Sequence, residues 1–196
     1  RTKSRGLGDV YKRQIYKFRI SLSDTNRDVY DSPQLTIAQH PSETIPRMMA
    51  RILAYCIQYQ PELAFTKGLS SIEEPDLWIK ALDDTILHWI EIGEPSLDRI
   101  KKATRLAKRV DIFTFTSKSD VWWAQTKNKS HQYDANIYRL SAEGIDALSE
   151  VVERGMDLSI MITGSSLFID CDKGSFEVQI ETLQSNDWSG TGIHSY

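Results

Sequence analysis

Apolar and polar residues alternate at both ends of the chain. Residues 15–22 place four aromatic or aliphatic side chains at the even positions, with polar side chains at 17, 19 and 21. Residues 176–181 alternate in the same way. A period of two residues predicts strands with one buried and one solvated face. Turn residues at 24–28 precede a second strand over 30–38, which we predict to pair with the first in antiparallel fashion.

A helical period is clearest at residues 45–57, where apolar side chains recur every three or four positions. Ser42 or Thr44 can cap this helix, and Pro46 is tolerated because it lies in the first turn. Three further helices are predicted: one over 96–110, one that carries Trp122 and Trp123 behind a cap at Ser119, and one over 141–154 that Gly155 ends.

Short apolar or β-branched runs predict the remaining strands. They are residues 63–66, 77–82, 86–92, 111–116 and 137–140, followed by a meander of 158–162, 167–171 and 176–183. From residue 42 to 116 the order is helix, three strands, helix, strand. The pattern therefore predicts one mixed α/β (α+β) domain over 15–183, with a mixed sheet, an αβββαβ core and a C-terminal β meander. Residues 184–196 follow it as a C-terminal tail.

The first fourteen residues have little apolar periodicity, and part of this segment resembles a translated sequencing adapter. We exclude residues 1–14 from the fold prediction as a non-native tail. The segment holds five Lys/Arg and one Asp, so the rest of the chain has 19 basic and 26 acidic residues. Residues 99–109 nevertheless contain six basic residues and no acid. This distribution favours a confined basic site over a broad nucleic-acid-coating surface.

Composition narrows the class of protein. The 196 residues are 40% hydrophobic, which is enough for one domain with a buried core. No run of about 18 apolar residues occurs, so we expect no membrane span and no membrane partner. Cys56 and Cys171 lack metal-ligand spacing, and the N-terminus has no apolar signal region. We therefore expect a reduced, cytoplasmic protein.

Two acidic residues are candidates for catalysis. Asp76 follows Pro75 at the start of one predicted strand, and Glu91 lies inside the next. Carboxylates on neighbouring strands can hold Mg²⁺, or Mn²⁺ in its place, with positions left for water and a substrate phosphate. Glu43, at the positive end of the first helix, is a candidate third ligand, and Arg47 a candidate phosphate-binding residue.

The assembled pieces resemble the YaeQ family of bacterial proteins. The matching segments are residues 15–17, 40–44, 47–49, 65–69, 74–76 with Trp78, 89–93, 99–103 and 122–123. The family in turn resembles the PD-(D/E)XK nucleases, which have a restriction-endonuclease-like fold with an αβββαβ core. The resemblance implies a nuclease-like active site that contains Asp76 and Glu91.

The match to the nuclease motif is partial, because Gly93 stands where the resemblance implies a lysine. That lysine is expected to hold or polarise the attacking water. Some members of the wider fold supply this group from the next helix, where Lys101 and Lys102 lie. Helix geometry places Lys102 nearer the inner side than Lys101, and Arg99 nearer still. We therefore assign Lys102 or Lys101 to the water and Arg99 to the substrate phosphate.

Each residue also has a structural interpretation. Asp76 could form a turn with Pro75, Glu91 could belong to an ion-pair network, and the helix lysines could be solvated surface charges. The tryptophans are typical of packing, with base stacking a minor alternative. Two functions follow. One is a Mg²⁺-dependent phosphodiester hydrolase; the other is an inactive nuclease-fold module that binds nucleic acid or a protein partner.

Overall fold

The computed structural model describes residues 14–186, so most of the predicted terminal tails at 1–14 and 184–196 lies outside the described residues. The strands are β1 (Gln14–Asp24), β2 (Val29–Asp31), β3 (Gln34–Gln39), β4 (Ala64–Phe65), β5 (Leu77–Lys80), β6 (Ile86–Ile92), β7 (Ala107–Thr114), β8 (Asn136–Leu140), β9 (Gly155–Thr163), β10 (Ser166–Cys171) and β11 (Gly174–Gln184). The helices are α1 (Ile45–Ile57), α2 (Leu97–Leu106), α3 (Ser119–Ser130) and α4 (Ala142–Ser149), with a short 3-10 helix at Gly68–Ser70.

All eleven strands join one mixed sheet in the order β2-β1-β9-β10-β11-β8-β7-β6-β5-β4, with β3 also paired to β1. The pairs β1–β9, β6–β7 and β7–β8 are parallel, and the other pairs are antiparallel. The prediction of a single mixed α/β domain is confirmed. The C-terminal meander is present, but it is not appended to an edge: it connects β1 to β8 inside the sheet.

The first strand follows its pattern closely, because its even-numbered apolar side chains are buried and the polar ones between them are exposed. Its predicted partner over 30–38 is wrong as a single strand. The structure has β2 and β3 instead, separated by Ser32 and Pro33. Proline has no backbone N–H to donate to a ladder, which explains the interruption.

The helix α1 is built as its sequence predicts. Thr44 is the cap, since its side chain accepts a hydrogen bond from the backbone N–H of Arg47, and Pro46 lies in the first turn. Nine of its residues are buried, and the helix packs against α4 and β6. Burial of this apolar face, more than helix propensity, holds such a helix in place.

Between residues 45 and 114 the elements follow as α1, β4, β5, β6, α2 and β7, which is the predicted order. The predicted helix over 96–110 is too long, because α2 ends at Leu106 and β7 begins at Ala107. Val110 therefore lies in a strand, where it pairs with Trp89. Parallel pairing with β6 overrides the helical period over these four residues.

Two other predicted helix ends differ from the structure. Ser119 does not cap α3: the cap position is Lys118, which makes no side-chain capping bond, and Ser119 is the first helical residue. The predicted helix over 141–154 ends at Ser149, and Gly155 opens β9 instead of ending a helix. Gly155 belongs to a strand because β9 already pairs with β1 at this position.

The core has a part on each face of the sheet. A larger cluster contains the inner face of β1, the helices α1 and α4, and Ile90 and Ile92 of β6. A smaller cluster contains Trp89 of the same strand, with Ile100 of α2 and Ile112 of β7. Because side chains alternate along a strand, Glu91 shares its face of β6 with Trp89. No helix within residues 14–186 is long and apolar enough to cross a membrane.

Candidate functional site

A cleft of about 370 Å³ opens where β5 begins and β6 ends, bordered by α1, α2 and residues 68–74. Asp76 directly precedes β5, and its backbone N–H donates to Ile90 of β6. The antiparallel pairing of Leu77 with Ile90 brings Asp76 next to Glu91. Both carboxylates line the cleft, so the structure brings these two predicted site residues together.

The carboxylate of Asp76 is almost fully buried, with 2% of the side chain exposed. One oxygen accepts a hydrogen bond from Nη2 of Arg47 at 2.8 Å. The other accepts from the backbone N–H of Ile92, also at 2.8 Å. Charged and backbone donors of this kind offset the cost of burying a carboxylate. The turn interpretation of Asp76 is therefore insufficient, since its side chain joins α1 to β6.

Glu91 is held by an equivalent pair of donors. Its Oε1 accepts from Nε of Arg99 at 2.9 Å, and its Oε2 accepts from the indole Nε1 of Trp89 at 2.9 Å. Burial raises the pKa of Glu91, and the negative charge of Asp76 raises it further. Arg99 and the indole act in the opposite direction but do not cancel this rise.

Glu43, the predicted third metal ligand, lies in a different environment. Its Oε1 accepts from Nη2 of Arg51 at 2.6 Å, and its Oε2 accepts from Nη1 of Arg47 at 2.7 Å. Arg47 therefore bridges Glu43 and Asp76. Burial acts to lower the pKa of Arg47, but Asp76 and Glu43 raise it above its usual value. The carboxylate of Glu43 is therefore bound by two guanidinium groups, and Glu43 does not line the cleft.

The predicted lysines are placed away from the carboxylates. Lys102 forms an exposed pair with Glu73 at 2.8 Å, Lys101 is exposed, and neither lines the cleft. Gly93 does line it, with a backbone φ of +121°. L side chains rarely adopt this φ, so a lysine at this position would strain the backbone. The cation beside Glu91 in this structure is Arg99.

Arg99 also holds the rim of the cleft. Its Nη1 and Nη2 donate to the carbonyl oxygens of Ile72 and Glu74 at 2.6 Å and 2.9 Å. Sequence analysis missed these contacts, as well as the indole bond to Glu91. The indole bond had a readable signal, because Trp89 lies two residues from Glu91 and so on the same face of the strand.

No group of three or more His, Cys, Asp or Glu residues with metal-binding geometry occurs within residues 14–186. A divalent ion in the cleft would therefore take protein oxygens from Asp76 and Glu91, with water and substrate oxygens as its other ligands. Carboxylate oxygens suit Mg²⁺, which commonly keeps several waters. The ion would have to replace the guanidinium groups that now bind these carboxylates.

Comparisons of sequence identify the relatives of this chain. The family model described as YaeQ protein matches residues 10–180. The chain is 35% identical over 175 residues to the YaeQ protein of Escherichia coli (strain K12), a match that covers 88% of this chain and 97% of that protein. It is 34% identical over 175 residues to the YaeQ protein of Salmonella typhi, with the same coverage.

Solved structures agree with the sequence comparisons. The crystal structure of the YaeQ protein from Pseudomonas syringae superposes with a TM-score of 0.84 at 37% identity, covering 89% of this chain and 97% of that chain. The YaeQ protein from Xanthomonas axonopodis pv. citri superposes with a TM-score of 0.86 at 28% identity, covering 89% and 99%. The resemblance seen in the sequence is confirmed, and the chain belongs to the YaeQ family.

Proposed function

We propose that the cleft is the active site of a Mg²⁺-dependent phosphodiester hydrolase with a variant PD-(D/E)XK nuclease-like fold. One observation carries the proposal: Asp76 and Glu91, from the ends of adjacent strands, are buried together in one cleft. Each carboxylate loses solvation there, and the charge of Asp76 disfavours that of Glu91. A buried acid in a cleft whose pKa is raised in this way, as that of Glu91 is, is typical of functional sites.

The order of elements supports the same proposal. The series α1, β4, β5, β6, α2 and β7 is the αβββαβ order of the PD-(D/E)XK core, with Asp76 before the second strand and Glu91 in the third. These are the positions that the nuclease motif assigns to its two acids. A cation bound between them would supply Lewis-acid stabilisation and an activated water for attack on phosphorus.

The protein side chains would then bind and orient the substrate. Arg47 and Arg99 are the cations nearest the two carboxylates, and both line the cleft. With a metal held by Asp76 and Glu91, the guanidinium groups of Arg47 and Arg99 would be available to bind phosphate oxygens through two parallel N–H bonds. For Lys102 to position the water, it must first leave Glu73. Arg99 must likewise leave Glu91, so Lys102 keeps the role of positioning the water and Arg99 that of binding phosphate.

A second function has its own support. Each carboxylate of the cleft already has a guanidinium partner, and Gly93 excludes the motif lysine. A nuclease-like fold that keeps these pairs closed would bind a nucleic acid or a protein partner without cleaving it. The exposed side of α2, with Lys101 and Arg105, would form the contact.

We also place the protein in the cytoplasm. Cys56 is buried and Cys171 half-buried, and both are free thiols. Free thiols persist in reducing compartments, whereas proteins of oxidising compartments commonly pair theirs.

Calorimetric titration with Mg²⁺ and Mn²⁺ distinguishes the two functions. We expect the wild type to bind metal and Asp76→Asn and Glu91→Gln to lose most of that binding. Glu73→Gln, an exposed acid near the rim, is the matched control and should keep wild-type binding. A panel of DNA and RNA substrates then tests hydrolysis. Negligible binding by the wild type, or equal binding by all four proteins, would exclude the hydrolase and leave the binding module.

A further inference from the structure

A second pocket, of about 240 Å³, lies beside the cleft, between β3 and the start of α1 on one side and residues 65–69 on the other. The two cavities are separate, but Gly68 and Leu69 belong to the lining of both. The lining includes the polar side chains of His40, Arg51 and Lys67, and the carboxylate of Glu43.

Arg51 provides the main observation. Its side chain is only 7% exposed and lines the pocket. Its hydrogen bonds within the described residues use Nε and Nη2, which donate to Glu43 and to the carbonyl of Ala38. Its Nη1 therefore retains two N–H donors for a further acceptor. A buried guanidinium with donors to spare is suited to an oxygen of a small anion.

His40 adds a donor of defined type. The backbone N–H of Ser42 donates to its Nδ1 at 3.1 Å, so Nδ1 is the unprotonated nitrogen of the ring. The ring proton then lies on Nε2, which becomes an N–H donor. The hydroxyl of Ser42 lies 2.7 Å from the same Nδ1 and reinforces this arrangement. His40 thus contributes a donor to the wall of the pocket.

The charges around the pocket favour an anion. Arg51 and the exposed Lys67 are positive, and Glu43 is negative. The carboxylate of Glu43 also forms an ion pair with Arg47, which lies on the side of the cleft. Two cations bind the Glu43 carboxylate, and Lys67 adds a further positive charge to the lining of the pocket.

We propose that this second pocket binds a phosphate group, either as inorganic phosphate or as a phosphate monoester. Guanidinium and ammonium groups together with a neutral N–H match the several oxygens of such a group. The site does not require a metal ion and does not rest on hydrolysis in the cleft. The phosphate could be free inorganic phosphate, or the terminal phosphate of a nucleic acid whose next residues reach the cleft past Gly68 and Leu69.

The test is a titration of the full chain with inorganic phosphate in the presence of EDTA, monitored by NMR or calorimetry. We expect saturable binding by the wild type. Binding should be about tenfold weaker for Lys67→Ala, which loses one charge-assisted bond, and for His40→Ala, which loses one neutral bond. Neither residue is buried, so both variants should fold, which circular dichroism checks. Lys129→Ala, an exposed lysine of α3 outside the pocket lining, is the control and should bind as the wild type does.

A second arm compares a 5′-phosphorylated oligonucleotide with its 5′-hydroxyl counterpart, again in EDTA. Preference for the phosphorylated form that Lys67→Ala removes identifies a terminal phosphate as the ligand. Phosphate binding without that preference identifies the free anion. No saturable phosphate binding, or equal binding by the wild type, Lys67→Ala and His40→Ala, would overturn the proposal. Because no metal is present, that failure is independent of the test of hydrolysis.

Discussion

Replacement of Arg99 by methionine tests the electrostatics of the cleft directly. Methionine keeps an unbranched apolar chain but removes the guanidinium that binds Glu91 at 2.9 Å. The carboxylate then remains buried beside Asp76 with the indole of Trp89 as its donor. The variant also loses the two bonds from Arg99 to the carbonyl oxygens at the rim.

The magnitude follows from burial. Removing one partner of a fully buried ion pair costs about 3–5 kcal/mol of unfolding free energy. Glu91 and Arg99 are 10% and 26% exposed, so water offsets part of this loss. We expect about 2 kcal/mol, and since a domain of this size loses roughly 2–4 °C of Tm per kcal/mol, a decrease of about 4–8 °C at pH 7.

The destabilisation by Arg99→Met should depend on pH, in a direction set by the pKa of Glu91. The pKa of folded Glu91 is raised above its usual 4.5, so ionisation of Glu91 costs stability as pH rises through that range. Arg99 is one of the groups that lower this pKa, so its removal raises the pKa further. The destabilisation by Arg99→Met should therefore be larger at pH 7 than at pH 5, where Glu91 takes up a proton more readily. The loss of the rim bonds is the same at both values.

Thermal unfolding followed by circular dichroism at pH 7 and pH 5 measures both effects. Arg105→Met, an exposed arginine in the last turn of the same helix, is the matched control and should change Tm little. An equal loss at the two pH values would refute the reasoning, because it would show that the charge of Glu91 is not what Arg99 stabilises.

Three further predictions concern backbone strain, a buried charge and thiol access. Gly93→Ala should cost about 1–3 kcal/mol of unfolding free energy, measured by chemical denaturation. The cause is backbone strain alone, since φ is +121° and an added Cβ would meet no atom within 4 Å. Gly155→Ala, with equal space and an ordinary φ, should be nearly neutral. Asp111→Ala should cost about 3–5 kcal/mol by urea denaturation because it removes the buried carboxylate to which three neighbouring side chains donate. In wild type, the lowered pKa of Asp111 means that its contribution is present above its usual 3.8 and lost as pH falls below that value. Burial raises the pKa of Cys56 to about 12, so at pH 8 a thiol reagent should modify Cys171 alone until the protein unfolds.

Local pattern predicted those parts of the fold whose order depends on neighbouring residues. The helix α1 follows from its apolar period, and of the two predicted caps the structure uses Thr44. The end of α2 does not follow, because Ala107 pairs with Ile86 in a distant strand and this pairing outweighs the local helical preference. The break before β3 had a local cause in Pro33, which the prediction overlooked.

The candidate site could also be predicted only in part from the sequence. The motif acids Asp76 and Glu91 could be found because they lie at fixed places relative to adjacent strands. Their partners could not be assigned, since the bond from Arg47 to Asp76 spans 29 residues and its geometry depends on how α1 packs. Gly93 was recognised as a departure from the motif, but the reason for it, a positive φ, is a property of the folded backbone.

Comparison of two buried carboxylates supports a functional interpretation of the cleft. Burial acts to raise the pKa of Asp111, but His88, Arg109 and Asn136 surround it and lower that pKa below its usual value. Asp111 is fully buried and its partners stabilise its charge, as is typical of a structural ion-pair network. Glu91 differs in both respects, because it lines an open cleft and its pKa is raised even with a guanidinium bound. Because burial and the charge of Asp76 disfavour the ionised form of Glu91, a metal ion that replaced the guanidinium group of Arg99 would favour it.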